Sequence, residues 1–341
     1  MINRLIVTAV VAATVHVEVT LDNRGLWRVP IRPLTRSAED VISARAILDL
    51  GGVHGFEYFS PDLRDSRSAA IADGYYIGGN DSSTTIYVHT DDPFAIPMES
   101  SAAFWTASHA SIGTGFNSPF ARTVHHYIIS PTNSESGLLV LNPENPDQYA
   151  FLGEWFYVNS SNNVLPQITA SVVVGDSIAS DPPDLFTLVS KTDISWIPQE
   201  AFRNIVRHLE RAGFRVSGAQ AGIPNPVGPI DMDSIGRGRT VLVTGNLAVL
   251  GHEMIAVPEL SAEELAQVLP PIYFDIGSIE RFRITLLPQD YIRTVDDLAY
   301  ILIGARRRGR CSIGTNVLQR LALHIDSRNR RIGFADPVNE I

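Results

Sequence analysis

Cysteine is almost missing from this chain of 341 residues. Cys311 stands alone, so no intramolecular disulfide can form, and the expected compartment is reducing, cytoplasmic rather than secretory. Positive charge is also scarce. The 27 Lys and Arg against 37 Asp and Glu leave a formal charge of −10, which argues against a nucleic-acid backbone as partner. The one dense basic run, Ala305 to Arg310 (ARRRGR), has no aromatic residues interleaved and reads as a solvated loop. No apolar run reaches the roughly 20 residues a membrane-spanning helix needs, so no membrane partner is expected. HExxH and Cys/His clusters are lacking too. His125 and His126 are adjacent, point to different faces of any regular element, and read as ordinary partly buried histidines, so no metal is expected. The Gly-containing stretches IGTG, IGGN and SIGTN are not followed by Lys-Ser/Thr, which excludes a phosphate loop, and no cofactor is expected.

What the chain does have is 45% hydrophobic residues, with 25 Gly and 21 Pro spread among many short apolar runs. That pattern favours a β-rich architecture with a sizeable core over a helical one. Near the N-terminus, Leu5 to Ala13 (LIVTAVVAA) could pass for a signal-peptide core, but Val15 to Leu21 (VHVEVTL) follows at once with strict alternation. A first strand is the preferred reading. Pro198 to Arg211 predicts a helix with Phe202, Ile205, Val206 and Leu209 on one stripe and Gly213 as its stop. Ser261 and Glu264 form a capping box for a second helix. Gly175-Asp176-Ser177-Ile178 mimics the opening of a GDSL-type hydrolase. No late Asp-x-x-His supplies its base, and a hairpin turn is preferred.

The organising stretch is Val41 to Ser60 (VISARAILDLGGVHGFEYFS). An apolar run delivers one carboxylate, Asp49, to a Gly51-Gly52 turn at the end of a buried strand. It resembles the first active-site segment of the pepsin-like aspartic peptidases, with Leu50 and Gly52 replacing that family's two hydroxyl residues. Leu269 to Ile292 (LPPIYFDIGSIERFRITLLPQDYI) and Cys311 to Ala335 (CSIGTNVLQRLALHIDSRNRRIGFA) resemble, in order and spacing, segments of the family's C-terminal lobe. The resemblance implies an all-β chain with a few short helices: a bilobal pepsin-like double β-barrel, lobes 1–160 and 161–341, enclosing a cleft. It also implies a flap hairpin for which Tyr75 or Tyr76 is the candidate, a surface tyrosine beside a turn being the alternative. Asp49, Gly51, Asp193 and Trp196 are the remaining cleft candidates.

The second catalytic segment departs from the family. There an Asp stands nine positions before a Pro that opens a helix, and counting back from Pro198 reaches Val189, with Ser190 and Lys191 in the next two places. Asp193 is the nearest acid, four places late. Peptide hydrolysis of this type needs two carboxylates sharing a proton across a water. The expectation is therefore a non-proteolytic protein, a monomer. Its cleft takes an apolar small molecule, with Asp49 as the lone acid in a cyclisation or isomerisation. Two alternatives stay open: a pseudo-peptidase that binds a peptide or protein, and a weakly active peptidase in which Asp193 enters the dyad. In that setting the bland role for Asp193 is an exposed loop acid or a cap of the following helix.

Overall fold

The computed structural model describes residues 14–22, 25–33, 44–53, 56–59, 68–71, 75–78, 84–88, 94–98, 100–103, 111–178, 183–213, 215–217, 240–247, 252–257, 261–277, 281–295, 298–306 and 311–338. For the strands between 56 and 103 and between 215 and 257 it describes the backbone alone. Residues 1–13, read as strand or signal, and the loop 219–238 lie outside the described residues, as do 307–310 of the basic run Ala305 to Arg310. The start of that run is not loop: Ala305 and Arg306 end the strand Leu298–Arg306, and Ala305 is buried because strands pair with it on both sides.

Two large sheets carry the fold, one of 13 strands and one of 12, with a separate two-stranded hairpin. In the first sheet Phe156–Asn159, Arg331–Ala335, Ala322–Asp326, His126–Pro131, Ser136–Leu141 and Val15–Leu21 lie side by side. The sheet continues through Trp27–Pro33, Ala44–Asp49 and Ser111–Gly113. The last two described strands thus sit beside strands from the first half of the chain. The second sheet is assembled from strands between Arg215–Ser217 at one edge and Phe282–Leu286 at the other, with Gln167–Val174 and Asp184–Leu188 inside it. The expected bilobal, mainly β architecture is the one observed.

Alternation explains the layers. Along Val15–Leu21, Val17 and Val19 are buried while His16 and Glu18 face out, so one sheet face meets the core and the other meets solvent. Both sheets turn their apolar faces onto one continuous core that includes Leu48 and Tyr127 from the first and Phe186, Phe274 and Ile313 from the second, with Phe120 added from the short helix Pro119–Thr123. The main helix, Gln199–Arg211, buries Phe202, Ile205 and Leu209 and stops before Gly213, whose φ of +90° suits glycine. The helix Ala262–Val268 carries the expected reciprocal cap: Glu264 N donates to Ser261 Oγ at 3.2 Å and Ser261 N to Glu264 Oε2 at 3.0 Å. Gly175-Asp176 is a hairpin turn, with Val174 opposite Ser177.

Residues Tyr75–Gly78 form a strand paired with Ser68–Ile71. The stretch from Thr240 is one strand reaching Leu247, held through its Gly and Asn by pairing with His252–Val257.

Candidate functional site

Asp49 ends a strand whose Ala46, Ile47 and Leu48 are buried, so the chain reaches it with no freedom to turn earlier. The strand is pinned on both sides. Trp27–Pro33 runs antiparallel, and Ser111–Gly113 runs parallel, with Ile112 beside Leu48 and Gly113 beside Asp49. At the turn the Asp49 carbonyl accepts from Gly52 N at 3.1 Å and from Thr114 N at 2.9 Å, and its Oδ1 accepts from Gly51 N at 3.2 Å. The residue is only 6% exposed. Behind it, Thr114 Oγ1 donates to the Asp49 carbonyl at 3.3 Å and accepts from the fully buried Tyr127 hydroxyl at 2.8 Å. Burial pushes the Tyr127 phenol well above the ordinary tyrosine range and the negative field of Asp49 acts in the same sense. Tyr127 therefore stays protonated and keeps donating.

A second strand end has matching geometry. Asp184–Leu188 runs parallel to Cys311–Ile313 with Leu188 beside Ile313, as Leu48 lies beside Ile112. Val189 follows Leu188 as Asp49 follows Leu48, and its N–H donates to the Ile313 carbonyl at 2.9 Å. The closing threonine is present too. Thr315 N donates at 2.9 Å, here to the carbonyl of Thr192, so this turn runs three residues further than the Asp49 turn before it closes.

The two strand ends meet. The Ser190 hydroxyl, fully buried, accepts from Leu50 N at 2.8 Å and donates to the Leu48 carbonyl, which bracket Asp49. Leu50, its counterpart, has no hydroxyl and is packed in the core instead. A Cβ placed on Gly51 would lie 3.3 Å from Val189 Cγ2, 3.3 Å from the Leu188 carbonyl and 3.7 Å from Asp49 Oδ1. The valine methyl and the aspartate carboxylate thus border the same glycine.

Of the other candidate residues, Asp193 is neither an exposed loop acid nor a helix cap. It is buried and accepts from Arg293 Nη1, on the strand Ile292–Val295. Trp196 is half-buried on Ser195–Pro198, beside Gly304 and Ser312. Tyr75 and Tyr76 lie on the separate hairpin, and their side chains are outside the described residues. Val53 is 44% exposed and Val164 37% exposed. Both flank the Asp49 turn, since a Cβ on Gly115 would sit 3.3 Å from Val53 Cγ1, 3.2 Å from the Val164 carbonyl and 2.8 Å from the Gly52 carbonyl. Among the described residues no group of three or more His, Cys, Asp or Glu could hold a metal ion.

No family model and no curated protein matches the sequence. By shape, the chain matches the crystal structure of an aspartic proteinase from Irpex lacteus with a TM-score of 0.56 at 15% identity, covering 95% of this chain and 98% of that one. This chain has the pepsin-like fold. At that identity the likeness speaks for the fold alone.

Sequence reasoning missed the Ser190 clasp, the Thr114–Tyr127 support and the Asp193–Arg293 pair. One signal could have found the first two. Ile112-Gly113-Thr114 and Ile313-Gly314-Thr315 are an internal repeat, and so are the preceding strand ends Leu48-Asp49 and Leu188-Val189. The ion pair joins residues 100 apart and leaves no local trace.

Proposed function

We propose that this pepsin-like chain is a non-proteolytic protein whose cleft binds an apolar small molecule, with Asp49 as its acid and hydrogen-bonding group. The observation that carries the reading is Val189: at the strand end matching that of Asp49, and against the same Gly51, stands a methyl-bearing side chain. The peptidase mechanism takes one ionised and one neutral carboxyl across a water, and valine supplies neither. Asp193, the alternative second acid, has its Oδ2 bonded to Arg293 Nη1. The exposed Val53 and Val164 beside the turn favour an apolar ligand.

A carboxyl withdrawn from water can serve as a neutral donor, and an enclosing cleft can fix a reactive conformation. Cyclisation or isomerisation suits such a site, because substrate and product share one formula and the acid recovers any proton it lends. The lone Cys311 fits a biosynthetic role in a reducing compartment, and a monomer suffices for it.

Native mass spectrometry of the purified protein, followed by Asp49→Asn, tests the reading. The expected result is a bound hydrophobic small molecule and loss of its turnover or retention in the variant. An empty cleft together with hydrolysis of a denatured protein at acid pH, abolished by Asp49→Asn, would overturn it in favour of a weak peptidase.

A pseudo-peptidase that binds a protein has one observation in its favour. Phe151 and Leu152 are 54% and 79% exposed on a tight turn whose backbone is tied to Asp336. Recovery of a stoichiometric protein partner with no small molecule, lost on Leu152→Ser, would favour it.

A further inference from the structure

On the outer face of the first sheet, away from the Asp49 turn, two histidines meet across the junction between an early and a late strand. His126 begins the strand His126–Pro131, and His324 lies on Ala322–Asp326, which pairs with it antiparallel. His126 Nδ1 and His324 Nε2 are 3.2 Å apart, and His324 Nδ1 is 2.8 Å from the Tyr157 hydroxyl. Both nitrogens of His324 are therefore occupied. A neutral pair satisfies the row in either direction, and a pair carrying one extra proton still has a donor facing an acceptor. Two extra protons set N–H against N–H at 3.2 Å.

We propose that this histidine pair is a proton-operated catch on the junction: it holds the two strands together with at most one positive charge, and a second proton loosens them. Asp326 attracts charge on both rings, but its oxygens are committed to other donors. Asp326, in register with His126, already accepts from Asn329 N at 2.9 Å, Asn329 Nδ2 at 2.8 Å and Arg331 Nε at 2.7 Å. Arg331 itself adds positive charge, lying 4.5 Å above the Tyr157 ring. His125 is exposed next to His126 and opposes a positive charge there. Trp155 covers His324 edge-on at 5.6 Å, keeping water from that ring. Asp147 acts on Tyr157 from the neighbouring turn, and His16 is occupied 2.6 Å from Tyr149.

Electrostatics agrees with the geometry. Burial, with His126 adding to it, lowers His324 to about 4, and burial lowers His126 as well, against the opposing pull of Asp326. A histidine depressed in the folded state stabilises it fully above its unfolded value, near 6.5, and the contribution is lost as the pH falls from there toward 4. The catch is closed at neutral pH and opens on acidification.

The test is the unfolding equilibrium of the full chain from pH 7 to pH 4, wild type against His126→Gln and His324→Gln, with the ring protons of wild type followed by NMR. The expected outcome is a loss, on the order of a hundredfold in the wild-type equilibrium constant over that range, attributable to the pair. His324→Gln removes most of that difference and His126→Gln part of it. Hydrogen-exchange protection along 126–131 and 322–326 should fall on acidification before that of Gln167–Val174. Independent titration of both rings near 6.5 in the folded wild type would overturn the proposal without any variant. So would an unchanged pH slope in a folded variant.

Discussion

The two strand ends that meet at Gly51 are built alike and finished differently. Each is an apolar strand flanked by a parallel Ile-Gly strand, and each is closed by a threonine N–H. One then presents a carboxylate and follows it with a packed leucine. The other presents a valine and follows it with a hydroxyl that bonds back across the interface. Backbone pairing holds both turns whichever side chain stands at the tip, so the tip is free to change while the scaffold persists. The comparison thus separates what the fold requires from what the chemistry requires.

The largest effect should come from Gly314→Ala. A Cβ there would lie 2.4 Å from the Ile194 carbonyl oxygen and 3.0 Å from that of Thr192, both backbone, so the turn after Val189 must shift. A loss upward of about 3 kcal/mol is expected in denaturant unfolding. A near-neutral result would show that this turn is not held by its neighbours. Leu50→Ala, at the packed position, should cost about 2–3 kcal/mol through the cavity it leaves. Ser190→Ala, at the matching position, should cost about 1–2 kcal/mol by stranding the Leu50 N–H and Leu48 carbonyl. If the serine variant proves the more destabilising, hydrogen bonding rather than packing joins the halves.

Val189→Asp makes the tips alike. Placing a carboxyl near Asp49 should cost about 1–2 kcal/mol at neutral pH and less in acid, where one proton can be shared, as chemical unfolding at two pH values would reveal. Appearance of peptide hydrolysis in that variant would show how little separates the two chemistries. Gly51→Ala should be the mildest, within about 1 kcal/mol, because its nearest neighbours would stand 3.3 Å away and one of them is a side-chain methyl.

Much of this was legible because it rests on local chemistry. The stripe of Phe202, Ile205 and Leu209 and the Ser261–Glu264 cap are written in consecutive turns of chain, and the structure has both. Alternation along Val15–Leu21 likewise gave the sheet face directly. The end of the Asp49 strand was readable from its apolar run and glycine turn. Asp193 was not, because its environment is set by Arg293, 100 residues on, and no spacing rule connects them. His126 and His324 are separated by 198 residues and become neighbours only through strand register. Composition and periodicity reveal which face a residue takes, while its partner on that face depends on topology.

The placement of Ala322–Asp326 and Arg331–Ala335 within the first sheet bears on biosynthesis. Translation delivers the strands of the first half long before their two late neighbours, so the edge of His126–Pro131 waits unpaired while the rest of the protein emerges. An exposed strand edge of that kind is a site for mispairing, so a nascent chain of this protein should depend on shielding until Ala322–Asp326 and Arg331–Ala335 arrive.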